Sequence, residues 1–458
     1  MQLPKDSLSL IMGKPECGKT TLSRIMAGLV PRHTGGTLKG KMYLPGLTSG
    51  MPAPQKLMDT LGLIFQDADE QIIMTRCDWE VAFPLESLQV PRQEMVRRVA
   101  AALEALGLEK FRERNPGRMS GGEKRKLLLA VLYAQRPDLW ILDETLEEID
   151  APARRQILSF LSERQGGAVV FSSRYSAPLR GYFSQAAVLT PSGFNGPFSL
   201  EKKEDLLPAL KRDGLFLESS KGLEEPRPSR GEELMKAEGI EFSYPEADSF
   251  TLRVEGFSLH RGETVCLVGR NGCGKSTLGR ILCGLLRPDK GRLSFHEDGE
   301  SEKPAHPDDL RRRVGYIFQN PDYQIFLPTV REELLYGLPK DQGTVRKVEE
   351  AAELFSLENL DAPPALLSYG TRKRLQAACY YLLKRRIYIL DEADSGISYE
   401  DFSFMLRSLS DSRGSVVVIT HDLELARVVG DRLCIMKDGR IISEYPRGFA
   451  GPVRELEE

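Results

Sequence analysis

The sequence has no run approaching the roughly 18 uncharged apolar residues that a membrane-spanning helix needs, and its opening "MQLPKDSLSL" reads as lacking a signal-peptide core. A membrane role would have to borrow its span from another chain. Cysteine is sparse and odd in number, seven in 458 residues, scattered without metal-ligand spacing. That argues against a disulfide framework and fits a reducing cytosol. A surplus of either charge is missing too. Lys and Arg number 63 against 66 Asp and Glu, a net charge of -3, so no global basic field favours nucleic acid as a partner. What is present, 41% hydrophobic and 28% charged residues, suffices for two or three folded domains.

The chain repeats itself. "GKPECGKT" (13–20) and "GRNGCGKS" (269–276) both satisfy G-x-x-x-x-G-K-[ST]. "LIFQ" ends at Gln66 and "YIFQ" at Gln319, 47 and 44 residues beyond Lys19 and Lys275. Ser120 precedes Glu144 by 24 residues, and Ser368 precedes Glu392 by the same 24. The repeat is therefore a whole domain: residues 1–190 form the first, 234–458 the second, and the charged stretch 191–233, rich in Pro, Gly and Ser, reads as a linker. Apolar runs such as "DLWILDE" and "RIYILDE" read as buried parallel strands, and "MVRRVAAALEALGL" and "KVEEAAELFSL" as amphipathic helices. Alternating strands and helices predict an α/β fold with a mainly parallel sheet in each half.

A glycine-rich turn opening onto a helix presents backbone N–H groups to a polyphosphate with no side chain in the way. Gly269, Asn271, Gly272, Gly274, Lys275, Ser276 and Thr277 form such a P-loop, as do Gly13, Gly18, Lys19, Thr20 and Thr21. The lysines would reach the β- and γ-phosphates of ATP, and Ser276 or Thr20 would ligate Mg2+. Asp143-Glu144 and Asp391-Glu392 end apolar strands beside these loops. The aspartates would hold Mg2+ through water and the glutamates would polarise the attacking water.

With "SGGEKRK" at 120–126 spaced as it is before "ILDE", the chain resembles the ATP-binding-cassette ATPases over nearly its whole length except the linker. The resemblance implies two tandem P-loop NTPase domains, each with a helical subdomain, and places Gln66 and Gln319 as Q-loop glutamines that also face Mg2+. It implies head-to-tail pairing, within the chain or with a second chain, so that each ATP lies between one half's P-loop and the other half's signature loop. "FQNPDYQIF" (318–326), echoed by "FQDADEQII" (65–73), resembles the Q-loop extension of energy-coupling-factor and cobalt-type importers, which docks on a membrane-embedded coupling protein. An ordinary turn burying Ile325 and Phe326 is the plainer alternative. Ala68 stands where the second copy has Pro321.

The same resemblance separates the two sites. His421 lies 29 residues after Glu392, at the place of the family's switch histidine, and Ser173 lies 29 after Glu144. Serine is shorter than histidine and is expected neither to reach as far nor to carry charge. Tyr244 lies 25 residues before Gly269, where the family stacks an aromatic on adenine, whereas only 12 residues precede Gly13. The Lys275 site, with Gln319, Asp391, Glu392 and His421, would receive Ser120, Gly121, Gly122 and the D-loop Asp150 from the other half. The Lys19 site, with Gln66, Asp143 and Glu144, would receive "SYGT", where Ser368 and Gly370 survive around Tyr369. One hydrolytic site and one degenerate ATP site are expected.

The implied partners are a transmembrane coupling protein and a substrate-capture membrane protein for a vitamin or metal ion, with the chain peripheral at the cytoplasmic face and no nucleic acid bound. The competing expectation is a soluble twin-cassette protein acting on ribosomes or nucleic acid.

Overall fold

The computed structural model describes residues 6–40, 57, 60–119, 121–147, 149, 151–163, 166–175, 179, 181–200, 206–216, 231–245, 250–296, 303–411, 414–449, 451 and 453. The chain divides into two compact units, Met1–Phe216 and Leu217–Glu458.

In the first unit β1 (Leu8–Met12) runs into α1 (Lys19–Met26), and β2 (Leu61–Ile64) leads to three helices, α2 (Cys77–Ser87), α3 (Arg92–Ala105) and α4 (Gly121–Gln135). Then follow β3 (Leu139–Asp143), α5 (Ala151–Glu163), β4 (Gly167–Ser172), β5 (Gln185–Thr190), β6 (Gly193–Ser199) and α6 (Leu206–Arg212). The six strands form one sheet in the order β2-β3-β4-β1-β5-β6. All pairs are parallel except β5 with β6. Successive side chains of a strand point to opposite faces, and here both faces are covered. Leu10, Met12, Leu142 and Val170 enter one core while Ile11, Ile141, Val169 and Phe171 enter another. Helices α2, α3 and α4 close a third core of their own around Val81, Leu85, Leu103 and Leu127, which is the helical subdomain.

The second unit opens with β7 (Glu233–Ser243) and β8 (Thr251–His260), followed by β9 (Thr264–Gly269), α7 (Lys275–Leu282), β10 (Lys290–Phe295) and β11 (Lys303–Pro304). Next come α8 (Pro307–Arg313), β12 (Val314–Ile317), α9 (Val330–Leu335), α10 (Gln342–Leu354), α11 (Tyr369–Leu383) and β13 (Ile387–Asp391). The unit ends with α12 (Tyr399–Asp411), β14 (Ser415–Thr420), α13 (Leu423–Val429), β15 (Arg432–Lys437) and β16 (Arg440–Pro446). Its main sheet, β12-β13-β14-β9-β15-β16, has the strand order of the first unit. A second, four-stranded antiparallel sheet, β11-β10-β7-β8, has no counterpart among the described residues of the first unit.

One expectation needs correction. The stretch 191–233 is not all linker, because β6 and α6 lie in it and the first unit continues to Phe216. β6 is an edge strand whose side chains are mostly exposed on both faces, so it carries no apolar alternation for sequence reasoning to detect. α6 is short and buries only Leu206, Ala209 and Leu210.

Candidate functional site

In both units a strand runs up to a glycine, Gly13 just past β1 and Gly269 at the end of β9, the chain turns tightly, and a helix starts at the lysine. Gly18 and Gly274 precede that lysine at φ 99° and 105°, a region open to glycine and strained for other residues. At the head of each turn the backbone is pressed close. A Cβ on Gly269 would lie 2.3 Å from the Met436 carbonyl oxygen, and one on Gly13 would lie 2.6 Å from that of Leu189. Lys275 Nζ is buried and donates to the carbonyls of Gly269 and Arg270 at 2.8 and 3.0 Å. Lys19 makes the equivalent bonds to Gly13 and Lys14 at 2.8 and 2.9 Å.

The turns differ most in charge and backbone strain at one of their four unlike positions. Where the second has Gly272 at φ 80°, the first holds Glu16 at φ 67°. Glu16 adds an anion and left-handed strain to a cradle meant for phosphate. The roofs differ as well. A Cβ on Gly274 would meet Phe250 at 2.9 Å and Leu252 at 3.0 Å, whereas one on Gly18 would meet nothing within 4 Å. Thr277 is buried and 3.3 Å from the Tyr244 hydroxyl, while Thr21 is exposed. The antiparallel sheet that positions Tyr244 at the end of β7 is what covers the second turn.

The parallel strands bring the carboxylates to the loops. Ser276 Oγ donates to Asp391 Oδ1 at 2.7 Å, and the Tyr316 hydroxyl donates to Asp391 Oδ2. In the first unit Ser23 Oγ fills the second role, 2.8 Å from Asp143 Oδ2. The two solutions exchange sizes. Gly279 takes the place of Ser23, and a Cβ there would lie 3.2 Å from the Tyr316 ring; Leu63 takes the place of Tyr316. The swap was invisible to motif reading because Ser23 lies outside every motif, and Tyr316, inside "YIFQ", corresponds to Leu63 in the matching "LIFQ" with no sign of what it bonds. Asp143 Oδ1 is buried and has no hydrogen-bond partner. Burial, and then the neighbouring Glu144 charge, push the Asp143 carboxyl up to about 6. An orphaned carboxylate oxygen beside a helix-starting Thr20 fits a hard divalent cation such as Mg2+. Around Asp391 the donor set of hydroxyl and carboxylate is equally suited.

The glutamates are held differently. Glu144 and Glu392 both sit at positive φ, 51° and 46°, which turns their side chains over the loops. Glu144 is clamped: Ser173 Oγ donates to Oε1 at 2.6 Å, Gln66 Nε2 to Oε2 at 2.8 Å, and Lys19 Nζ lies 3.1 Å from Oε1. Ser173 therefore reaches the carboxylate despite its shorter side chain. β4 carries it to within bonding range, and its deficit is charge. Lys19 is raised by the Glu144 charge despite opposing burial. Glu392 faces His421 Nδ1 at 4.0 Å. Burial raises the Glu392 carboxyl, and His421 and Lys275 partly offset this. Sequence reasoning also missed Glu147, whose buried carboxylate accepts from Ser172 Oγ at 3.0 Å and from the Ser173 amide. Burial and the Glu144 charge push it up to about 7.

Of the remaining expected residues, Ser120 and Asp150 lie outside the described residues. Gly121 and Gly122 open α4, and Ser368 caps α11 by accepting from the Thr371 amide at 3.1 Å, with Gly370 buried in its first turn.

Residues 1–147 and 252–395 match the family model described as ABC transporter. The chain belongs to the ABC transporter family. Its members of this type bind ATP and hydrolyse it, and the chain is an ATPase with two tandem cassettes. A relative described as a putative HMP/thiamine import ATP-binding protein from Bacillus subtilis is 28% identical, across 95% of this chain and 86% of its own. A putative ABC transporter ATP-binding protein of Treponema denticola is 29% identical across 97% and 92%. A solved structure of ribosome-bound archaeal Pelota and ABCE1 aligns over 97% of this chain with TM-score 0.71 at 18% identity, a likeness of fold.

In each cassette the Q-loop extension is stapled the same way. Gln324 Nε2 donates to the Tyr316 carbonyl at 3.0 Å and Gln71 Nε2 to that of Leu63 at 2.8 Å. Buried Glu333 accepts from the amides of Phe326 and Leu327, as Glu80 does from Ile73 and Met74. This holds the tip outward. Tyr323, Phe326 and Tyr336 are 75%, 64% and 60% exposed, with Phe326 and Tyr336 edge to face at 5.1 Å. Phe326 is thus not the buried turn residue of the plainer reading. Ile73, Trp79 and Phe83 are exposed around the first extension.

Proposed function

We propose that the chain is the ATP-hydrolysing motor subunit of an importer of energy-coupling-factor type, driving uptake of a vitamin or metal ion through separate membrane subunits. Hydrolysis is assigned to the Lys275 site, with the Lys19 site mainly holding nucleotide. The observation that carries this division is the state of the two glutamates: Glu392 lies 4.0 Å from His421 Nδ1, beyond hydrogen-bond distance, while Glu144 has both oxygens engaged. Lys275 binds the phosphates and Tyr244 packs on adenine. Ser276, Asp391 and Gln319 would hold Mg2+, which supplies charge neutralisation on the phosphates when bound. Thr20, Gln66 and Asp143 would do so in the other site. Ser120, Gly121, Gly122 and Asp150 are assigned to the Lys275 site across a head-to-tail pair, and Ser368 and Gly370 to the Lys19 site.

Two observations support the transport reading. The exposed aromatic tips are apolar surface on a protein in which no helix among the described residues is long and apolar enough to cross a membrane. The Bacillus subtilis relative named for import matches along nearly the whole chain. We place the chain at the cytoplasmic face of the membrane, docked through these tips on a coupling protein that serves a substrate-capture subunit. Affinity purification from detergent extract tests the reading against the soluble twin-cassette alternative. Small membrane proteins should copurify in stoichiometric amount; ribosomes or nucleic acid in their place would overturn it.

A further inference from the structure

The Tyr369 that spoils the signature phrase is held in its own unit by contacts that the first unit makes differently. Its hydroxyl donates to the Gln319 main-chain carbonyl at 3.0 Å. Its ring faces Lys373 one turn along α11, with Nζ 5.4 Å from the ring centroid. Lys373 is itself buried, and its ammonium donates to the carbonyls of Glu392 and Ala393 at 3.3 and 3.1 Å. A short relay thus runs from the start of the signature helix to the main chain of both the Q-loop glutamine and the hydrolytic glutamate.

The first unit divides this work otherwise. Gly121 replaces Tyr369 and Arg125 replaces Lys373, and the buried Arg125 guanidinium itself reaches the Gln66 carbonyl at 3.0 Å. An ion pair between the Q-loop extension and the signature helix is common to both, Asp69 with Lys124 and Asp322 with Arg372 at 3.0 Å. The partner of the glutamine carbonyl changes hands, from the helix's Arg125 to Tyr369. Arginine is long and forked enough to take that carbonyl; the shorter lysine rests on Glu392 and Ala393 and leaves it to the tyrosine.

We propose that Tyr369 is a positioning residue for the hydrolytic site of its own unit, fixing the Gln319 main chain through its hydroxyl and keeping Lys373 on the Glu392–Ala393 carbonyls through its ring. This rests on the assignment of hydrolysis to the Lys275 site. It reverses the simplest expectation for "SYGT": rewriting the phrase as "SGGT" slows the enzyme. Displacement of a catalytic main chain by a fraction of an ångström lowers kcat more than it raises KM.

The test measures kcat and KM for ATP in the full chain with its copurified partners, in a Glu144→Gln background so that turnover at Glu392 is read. That background must itself keep measurable turnover; if it has none, the assignment of the hydrolytic site fails, and the proposal with it. Given turnover, Tyr369→Gly should lower kcat about tenfold with KM changed less than about threefold, and Tyr369→Phe should fall between. Adding Lys373→Arg to Tyr369→Gly restores the Gly–Arg pair of the first unit and should recover most of the lost kcat, which repair of a merely unstable helix would not do. Unchanged or raised kcat in Tyr369→Gly, or failure of Lys373→Arg to rescue it, would overturn the proposal.

Discussion

Ser173 Oγ donates to Glu144 Oε1 at 2.6 Å, in the place where the second unit sets His421 Nδ1 4.0 Å from Glu392 Oε1. Equal spacing along two equivalent strands brings either side chain to the glutamate. A hydroxyl at hydrogen-bond distance ties the carboxylate down, and an imidazole at longer range leaves it open to water and can hold a proton beside it.

Replacing the two switch residues should therefore have opposite signatures. His421→Ala should lower turnover by about 100-fold or more. Ser173→Ala should cost the first unit about 1–3 kcal/mol, because it leaves a buried carboxylate short of a donor, and should cost far less turnover. Paired ATPase assays and thermal melts check this; a larger turnover loss in Ser173→Ala would contradict it.

Stability of the first unit should fall as pH rises toward neutrality. Asp143 and Glu147 are raised to about 6 and about 7, so each binds its proton more tightly folded than unfolded. The stability this confers is complete below about pH 4 and is lost as pH climbs through 6 to 7, at most about 3 kcal/mol per group. Urea melts between pH 5 and 8 should show the decline. Glu147→Gln keeps an acceptor for Ser172 and the Ser173 amide and should flatten it; an unchanged slope would count against the assignment.

Glu16→Gly should relieve a left-handed non-glycine residue, worth about 1 kcal/mol, and remove an anion from the first P-loop. Nucleotide affinity at the Lys19 site should rise several-fold, read by fluorescent-ATP titration in a Lys275→Ala background. Equal or weaker binding would show that Glu16 does not limit the cradle.

Phe326→Ser with Tyr336→Ser should reduce copurified membrane protein by about tenfold, since buried aromatics dominate interface energy, while the melting temperature stays close to that of the parent. Undiminished copurification would place the docking surface elsewhere.

Motif spacing made the two P-loops, the Asp-Glu pairs and the switch positions legible, because close approach of backbone to phosphate admits few residues at each place. The mainly parallel sheet of each half followed from alternating apolar and amphipathic runs, while the strand order came only from the fold. Three things stayed hidden for physical reasons. β6 has no buried face and so no pattern. The Ser23-for-Tyr316 exchange delivers one hydrogen bond from two different strands or helices, which no linear motif records. Glu147 follows its motif by three residues, and only the fold shows that its carboxylate turns inward onto Ser172.

One glutamate, Glu392, is proposed to perform hydrolysis while Glu144 is held out of it. ATP turnover of the full chain with its partners, compared between Glu392→Gln and Glu144→Gln, tests this most directly. Glu392→Gln should lose at least about 100-fold and Glu144→Gln should retain a readily measured fraction. Equal loss from the two substitutions would contradict the account.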